Sequence, residues 1–175
     1  MRPPIAVRAL AVVAAFVTAP AFAQEKLTKG EYLARAGDCL VCHTMPGGRP
    51  YAGGLRMNTP GGIITATNIT PDPDTGIGKY SLADFDKAVR KGVRKDGARL
   101  YPATPYPSYA RITDEDIRAL YDFFMKEVKP VRQKTEAPQM RGVYGWRWTL
   151  GLWNWIGGGG PFRPDTNYDA EWNRG

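Results

Sequence analysis

The chain has 175 residues, with 24 Lys and Arg against 17 Asp and Glu for a net charge of +7, and it carries only two cysteines and one histidine. That length holds one small domain plus an extension, and three sulfur or imidazole donors fall short of the roughly four that a self-contained zinc site takes. A modest positive excess suits an acidic protein surface or anionic lipid; no basic-aromatic patch resembles a nucleic-acid module and no solenoid period is visible, so no nucleic-acid partner is expected.

The chain opens as a removable leader. Arg2 and Arg8 flank a basic start, residues 9–19 are apolar, and Ala21-Phe22-Ala23 fits the small-x-small cleavage pattern before Gln24. The apolar run is too short to span a bilayer. Export is therefore expected, with residues 1–23 removed as a signal peptide.

Thr28-Lys29-Gly30-Glu31 reads as a capping box that starts a helix. Tyr32, Ala36 and Leu40 follow at helical spacing and predict an apolar face running into Cys39-Leu40-Val41-Cys42-His43. In C-x-x-C-H, two thiols can each close a thioether onto a haem vinyl group while the next imidazole reaches the iron as proximal ligand. The other readings are a redox-active dithiol, a zinc site completed by a carboxylate or a second chain, and chance recurrence of a short motif. Nothing around Cys39 has the βαβ setting of a thioredoxin-like dithiol. Haem attachment uses both cysteines and the single histidine, and it agrees with export.

Residues 44–80 are rich in Gly, Pro and Thr, with at most a brief strand at residues 63–67. The signals Pro46-Gly47-Gly48, Pro60-Gly61-Gly62 and Pro71-Asp72-Pro73-Asp74 predict repeated reversals. A loop this long in a compact domain has a task, here wrapping a flat macrocycle with Leu55, Ile63, Ile64 and Ile69 as lining. Ser81-Leu82-Ala83-Asp84 opens a second helix, with Leu82, Phe85, Val89 and Val93 on one face and Gly92 and Gly97 about its end. Thr113-Asp114-Glu115-Asp116 opens a third, with the stripe Ile117, Leu120, Tyr121, Phe124 and Val128, and Pro130 stops it.

Helices before, between and after such loops resemble the plan of class I cytochromes c. The expected fold class is all-α, with three main helices around one covalently bound haem c over residues 24–131 and a Trp-rich extension beyond. The resemblance implies that Gly30 and Tyr32 or Leu33 pack against Leu120, Tyr121 and Phe124 where the first and last helices cross. A closer resemblance rests on Ala52-Gly53-Gly54-Leu55, Thr67-Asn68-Ile69-Thr70-Pro71-Asp72 with Thr75-Gly76-Ile77-Gly78, Leu100-Tyr101-Pro102-Ala103 and Pro105-Tyr106-Pro107-Ser108-Tyr109. Over about residues 26–131 these runs resemble the cytochrome c subunit of membrane-bound bacterial dehydrogenases for alcohols, aldehydes and gluconate. That resemblance implies an electron carrier, not an enzyme. Cys39 and Cys42 would bind the haem and His43 the iron, with a dehydrogenase subunit as donor and a quinone or another cytochrome as acceptor. The expected location is periplasmic, on the outer face of the cytoplasmic membrane.

Two departures from that family carry consequences. Its members commonly place methionine, the sixth iron ligand, where this chain has Thr104, and a neutral hydroxyl is a poor ligand for ferrous iron. Met57 in the wrapping loop is the first substitute as a metal ligand, with plain packing as its other role. Met45 follows His43 too closely, and Met125 and Met140 lie in or beyond the last helix. A five-coordinate or weakly six-coordinate haem is expected, and with it a rival function: a haem enzyme or gas-binding protein using an open sixth position. Against that rival, the loops offer no second histidine as acid-base catalyst, and only Arg56 or Tyr101 in partial replacement. The second departure is length, since family members usually carry several haem domains in tandem. Residues 169–175 resemble the family segment leading into a second haem domain and echo Leu27-Thr28-Lys29-Gly30, so a truncated or split member is one reading and a chance likeness the other.

Residues 132–175 form the extension. Pro138 and the charges before it read as a linker, and residues 143–156 then gather Tyr144, Trp146, Trp148, Trp153 and Trp155 with Leu150 and Leu152. The stretch is too short to cross a bilayer as a helix but suits its surface, with Arg141 and Arg147 toward anionic headgroups. Packing on a dehydrogenase subunit, or on a further haem domain, is the competing reading.

Overall fold

The computed structural model describes residues 26–157 and 163–174; the leader expected over residues 1–23 lies outside them. Helix α1, Lys29–Ala36, starts at Thr28, whose hydroxyl accepts from the Glu31 amide at 3.1 Å. Glu31 does not complete the expected box but pairs with Arg35 at 2.6 Å, one turn on. The helix stops at Gly37, and Asp38 in the left-handed region (φ 53°) turns the chain into the single turn α2, Cys39–Cys42. The first helix therefore does not run continuously into the motif. Its buried residues are Gly30 and Ala34, with Leu33 partly buried against the core. Tyr32 is 61% exposed, so the expected Tyr32-Ala36 face is not the packed one.

The reason is how closely α5, Asp114–Asp122, crosses α1. A Cβ on Gly30 would fall 2.2 Å from the Ala119 carbonyl oxygen and 2.5 Å from the Phe123 Cβ, so the crossing selects the smallest side chains of α1. Lys29 reaches Glu115 and Asp116 at 2.7 Å each across the same crossing. These pairs are exposed, and each contributes little.

Helix α5 runs on as a π-helical turn, Phe123–Glu127, closed by the Val128 amide donating to the Phe123 carbonyl at 3.1 Å. The consecutive Phe123 and Phe124 at the start of this turn are both buried. Both rings meet Tyr51 edge-on, at 5.9 and 5.2 Å. Helix α3, Leu82–Lys91, carries the complete capping box of Ser81 and Asp84 and ends at Gly92 with φ 62°. It sets Phe85 against Phe124 and Tyr121. Ala34, Tyr51, Ile77, Phe85, Ile117, Leu120, Phe123 and Phe124 form the core.

The fold is not all-α. Residues 56–65 form an antiparallel hairpin of β1, Arg56–Thr59, and β2, Gly62–Thr65, paired Arg56 to Thr65 through Thr59 to Gly62. A third strand, β3, Gln139–Met140, adds to β2 in the order β1-β2-β3. Pro60-Gly61 makes the two-residue turn, the β-branched Ile63, Ile64 and Thr65 favour extended backbone, and β3 arrives from the extension. β2 overlaps the brief strand expected at residues 63–67, whereas β1 and β3, of four and two residues, are too short to show an alternating pattern.

Gly30→Ala is expected to destabilise the protein by roughly 1–3 kcal/mol through overpacking of the crossing. Denaturant unfolding checks this, and an unchanged midpoint would contradict it.

Candidate haem site

The candidate residues sit on α2 and directly after it. Cys39 and Cys42 are three apart on one helical turn and so share a side of it, and the His43 amide closes that turn on the Cys39 carbonyl at 2.9 Å. Both thiols are free. Cys39 and Leu40 pack toward the core while Val41, between the cysteines, is 66% exposed. Burial, and then the neighbouring Cys42, push the Cys39 thiol up to about 11. A redox dithiol requires the opposite, a depressed value that supplies thiolate.

His43 is held on two sides. Its Nδ1 lies 2.6 Å from the Thr67 carbonyl oxygen, so Nδ1 carries the proton and the Nε2 lone pair is left for a ligand. Burial lowers its pKa against the opposing pull of that bond, which keeps the ring neutral, the form that binds metal. On the other side the Gly53 amide donates to the His43 carbonyl at 2.7 Å. Gly53 has φ 77°, and a Cβ there would fall 2.5 Å from the Thr67 carbonyl carbon and 2.7 Å from the Asn68 amide nitrogen. Gly53 is thus bonded to the His43 carbonyl while lying so close to the Thr67–Asn68 peptide that a side chain has no room.

The donor set fits covalent haem: two free thiols on one side of a helical turn, then a half-buried imidazole with a defined tautomer and a free Nε2. Among the described residues no group of three or more His, Cys, Asp or Glu is placed to hold a metal ion on its own.

The other candidates lie on separate segments. Met57 is half-buried on β1 opposite Ile64. Thr104 lies in a turn, its amide donating to the Tyr101 carbonyl at 3.0 Å, just before α4, Tyr106–Tyr109. The Tyr109 hydroxyl donates to the Gly37 carbonyl, which ties the Thr104 segment to the start of the cysteine turn. Burial, then the two cysteines, push Tyr109 up to about 12. Arg56 is paired with Glu136, and Tyr101 is buried with the Arg147 guanidinium 5.2 Å from its ring centre. Of the two stand-ins for a distal acid-base group, Arg56 is thus held by a carboxylate.

Thr67, Gly53 and Tyr109 are the functional positions that residue-type reasoning passes over, because the first acts through its carbonyl, the second through a missing side chain and the third through a contact 72 residues distant. The left-handed requirement of a Gly-Gly pair was the available signal for Gly53.

Beyond Val131 the chain returns over the wrapping loop. Asn68 donates to the Val131 carbonyl at 2.7 Å, the Gln133 amide donates to the Thr75 hydroxyl at 2.9 Å, and the Arg141 amide donates to the Gly61 carbonyl at 2.8 Å. Further on, Tyr144, Trp146, Trp148 and Trp155 are exposed, Trp155 by 84%, and the rings of Trp146 and Trp148 stack at 6.3 Å. Leu150 of α6, Thr149–Gly157, is buried. No helix among the described residues is long and apolar enough to cross a membrane.

Residues 27–127 match the cytochrome c family. The chain is 58% identical over 132 residues to the cytochrome c subunit of alcohol dehydrogenase (quinone) of Gluconobacter oxydans, covering 75% of this chain and 28% of that protein. It is 55% identical over 138 residues to the gluconate 2-dehydrogenase cytochrome c subunit of Pantoea cypripedii, covering 79% and 30%. To the fructose dehydrogenase cytochrome subunit of Gluconobacter japonicus it is 45% identical over 152 residues, covering 85% and 31%. The chain thus spans less than a third of the length of these relatives.

Gly53→Ala is expected to separate His43 from Thr67, because both the added carbon and the positive φ oppose the close pass. The measurement is haem incorporation per protein by absorbance, which should fall at least several-fold; wild-type loading would contradict the clamp.

Proposed function

The chain belongs to the cytochrome c family, and on that premise we propose that it is an electron carrier, not a catalyst, which takes electrons from a membrane-associated dehydrogenase and passes them to a quinone or another cytochrome. Cys39 and Cys42 tether haem c by thioethers, His43 ligates the iron through Nε2, and Met57 is the proposed sixth ligand in place of Thr104. When bound, the haem supplies one-electron oxidation and reduction. The haem domain is assigned to residues 24–131 and the extension to residues 132–175, with the protein in the periplasm against the outer face of the cytoplasmic membrane.

The observation that carries the reading is the Nδ1 contact of His43 with Thr67, which points a neutral Nε2 away from the backbone one residue after the second thiol. The relatives, named as cytochrome subunits of dehydrogenases, support the donor class. Exposed Val41, between the two cysteines, supports electron passage at the cysteine edge. The engagement of Arg56 with Glu136 weighs against peroxide chemistry.

The full chain made with a haem-attachment apparatus is expected to gain the mass of one haem and a Soret band, both lost in Cys39→Ala/Cys42→Ala, and to exchange electrons without peroxidase turnover. No Soret band would overturn the haem reading, and rapid carbon monoxide binding with peroxidase turnover would overturn the carrier.

The exposed ridge of Tyr144, Trp146 and Trp148 supports peripheral contact with lipid, because indole rings favour the headgroup zone and Arg141 and the net positive chain suit anionic lipid. Trp146→Ala/Trp148→Ala is expected to lower cosedimentation with anionic phospholipid vesicles at least threefold in the absence of a dehydrogenase. A parent protein that stays in the supernatant would end the lipid assignment in favour of a protein partner.

A further inference from the structure

We propose that Asn68 is a positioning residue that couples the returning strap, residues 131–133, to the imidazole of His43 and so tunes the reduction potential; this rests on the haem reading above. Asn68 is 3% exposed, and its amide is used at both ends. Nδ2 donates to the Val131 carbonyl at 2.7 Å and to the Thr75 hydroxyl at 3.1 Å, while Oδ1 accepts from the Thr70 amide at 2.9 Å and the Thr70 hydroxyl at 2.7 Å. A carbonyl can only accept and a backbone amide can only donate, so these two partners fix which way the side-chain amide points.

The coupling is covalent at one end. The Thr67 carbonyl that receives the His43 proton and the Asn68 N–H belong to one planar peptide unit, so a constraint on Asn68 limits rotation of that carbonyl. Gly53 lies against the same unit, where an added Cβ would fall 2.5 Å from the Thr67 carbonyl carbon. The strap reaches both flanks, since the Gln133 amide donates to Thr75 at 2.9 Å and its side chain to the Gly53 carbonyl at 3.4 Å. A firm Nδ1–H to carbonyl bond makes the imidazole a stronger donor to iron and favours the oxidised form. Loosening it raises the potential.

The test uses the full haem-loaded chain as wild type, Asn68→Ala, Thr75→Val and Thr113→Ala, the last removing a helix cap remote from His43. Midpoint potential and the exchange rate of the His43 Nδ1 proton by NMR are the readouts. Asn68→Ala is expected to raise the potential by about a threefold to tenfold shift in the one-electron equilibrium, tenfold being about 59 mV, and to speed proton exchange. Thr75→Val should move both in the same direction by less, and Thr113→Ala should move neither. Should Asn68→Ala fail to fold, Thr75→Val decides alone. Haem-loaded variants with wild-type potential and exchange would overturn the coupling, as would an equal shift in Thr113→Ala. A wild-type chain without haem would instead overturn the reading on which the coupling rests.

Discussion

The His43 Nδ1–H donates to a carbonyl 24 residues further along the chain, at 2.6 Å, and that contact constrains nearly everything packed around it. The intervening segment has to leave His43, turn several times and come back in register. The reversals are made by glycines and prolines, and the closing step is Gly53, bonded to the His43 carbonyl and packed against the Thr67–Asn68 peptide. The imidazole is half-buried, and a mispositioned carbonyl would leave its N–H without this protein partner.

The helices supply the frame that offsets the entropy of ordering such a loop. Gly30 lets α5 approach α1 to backbone contact, and the π-helical turn presents two phenylalanines to Tyr51, itself in the left-handed region at φ 61°. Tyr51 lies in the wrapping loop, and its carbonyl accepts from the Ile69 amide at 2.9 Å. The aromatic cluster therefore fixes the middle of the loop to the helices while the Gly53 pass fixes it to His43. Packing and polar contacts converge on the same backbone, which is why the loop holds one conformation without long strands.

The charged surface plays a smaller part. Ion pairs such as Lys29 with Glu115 and Arg94 with Asp96 are solvent-exposed and screened, so each contributes little. The buried polar network of Asn68, Thr70 and Thr75 matters more for specificity, since every partner it lacks would cost desolvation without return. It is also what draws the chain beyond Val131 back over the loop, leaving the aromatic ridge of residues 144–148 facing outward.

Chemistry confined to neighbouring residues is legible in the amino-acid sequence by itself. The C-x-x-C-H run, the three helix starts at Thr28, Ser81 and Thr113, the apolar stripes of α3 and α5 and the Pro-Gly reversals all stand in windows shorter than about two helical turns or recur at helical spacing, where periodicity and residue type carry the information. Folding in three dimensions settled the remainder: that α1 buries Gly30 and Ala34 instead of Tyr32, that the hairpin gains a third strand from the extension, and that a carbonyl of Thr67 meets His43. Each of these depends on a partner tens of residues away and on backbone atoms or absent side chains, which leave no periodic trace in a string of letters.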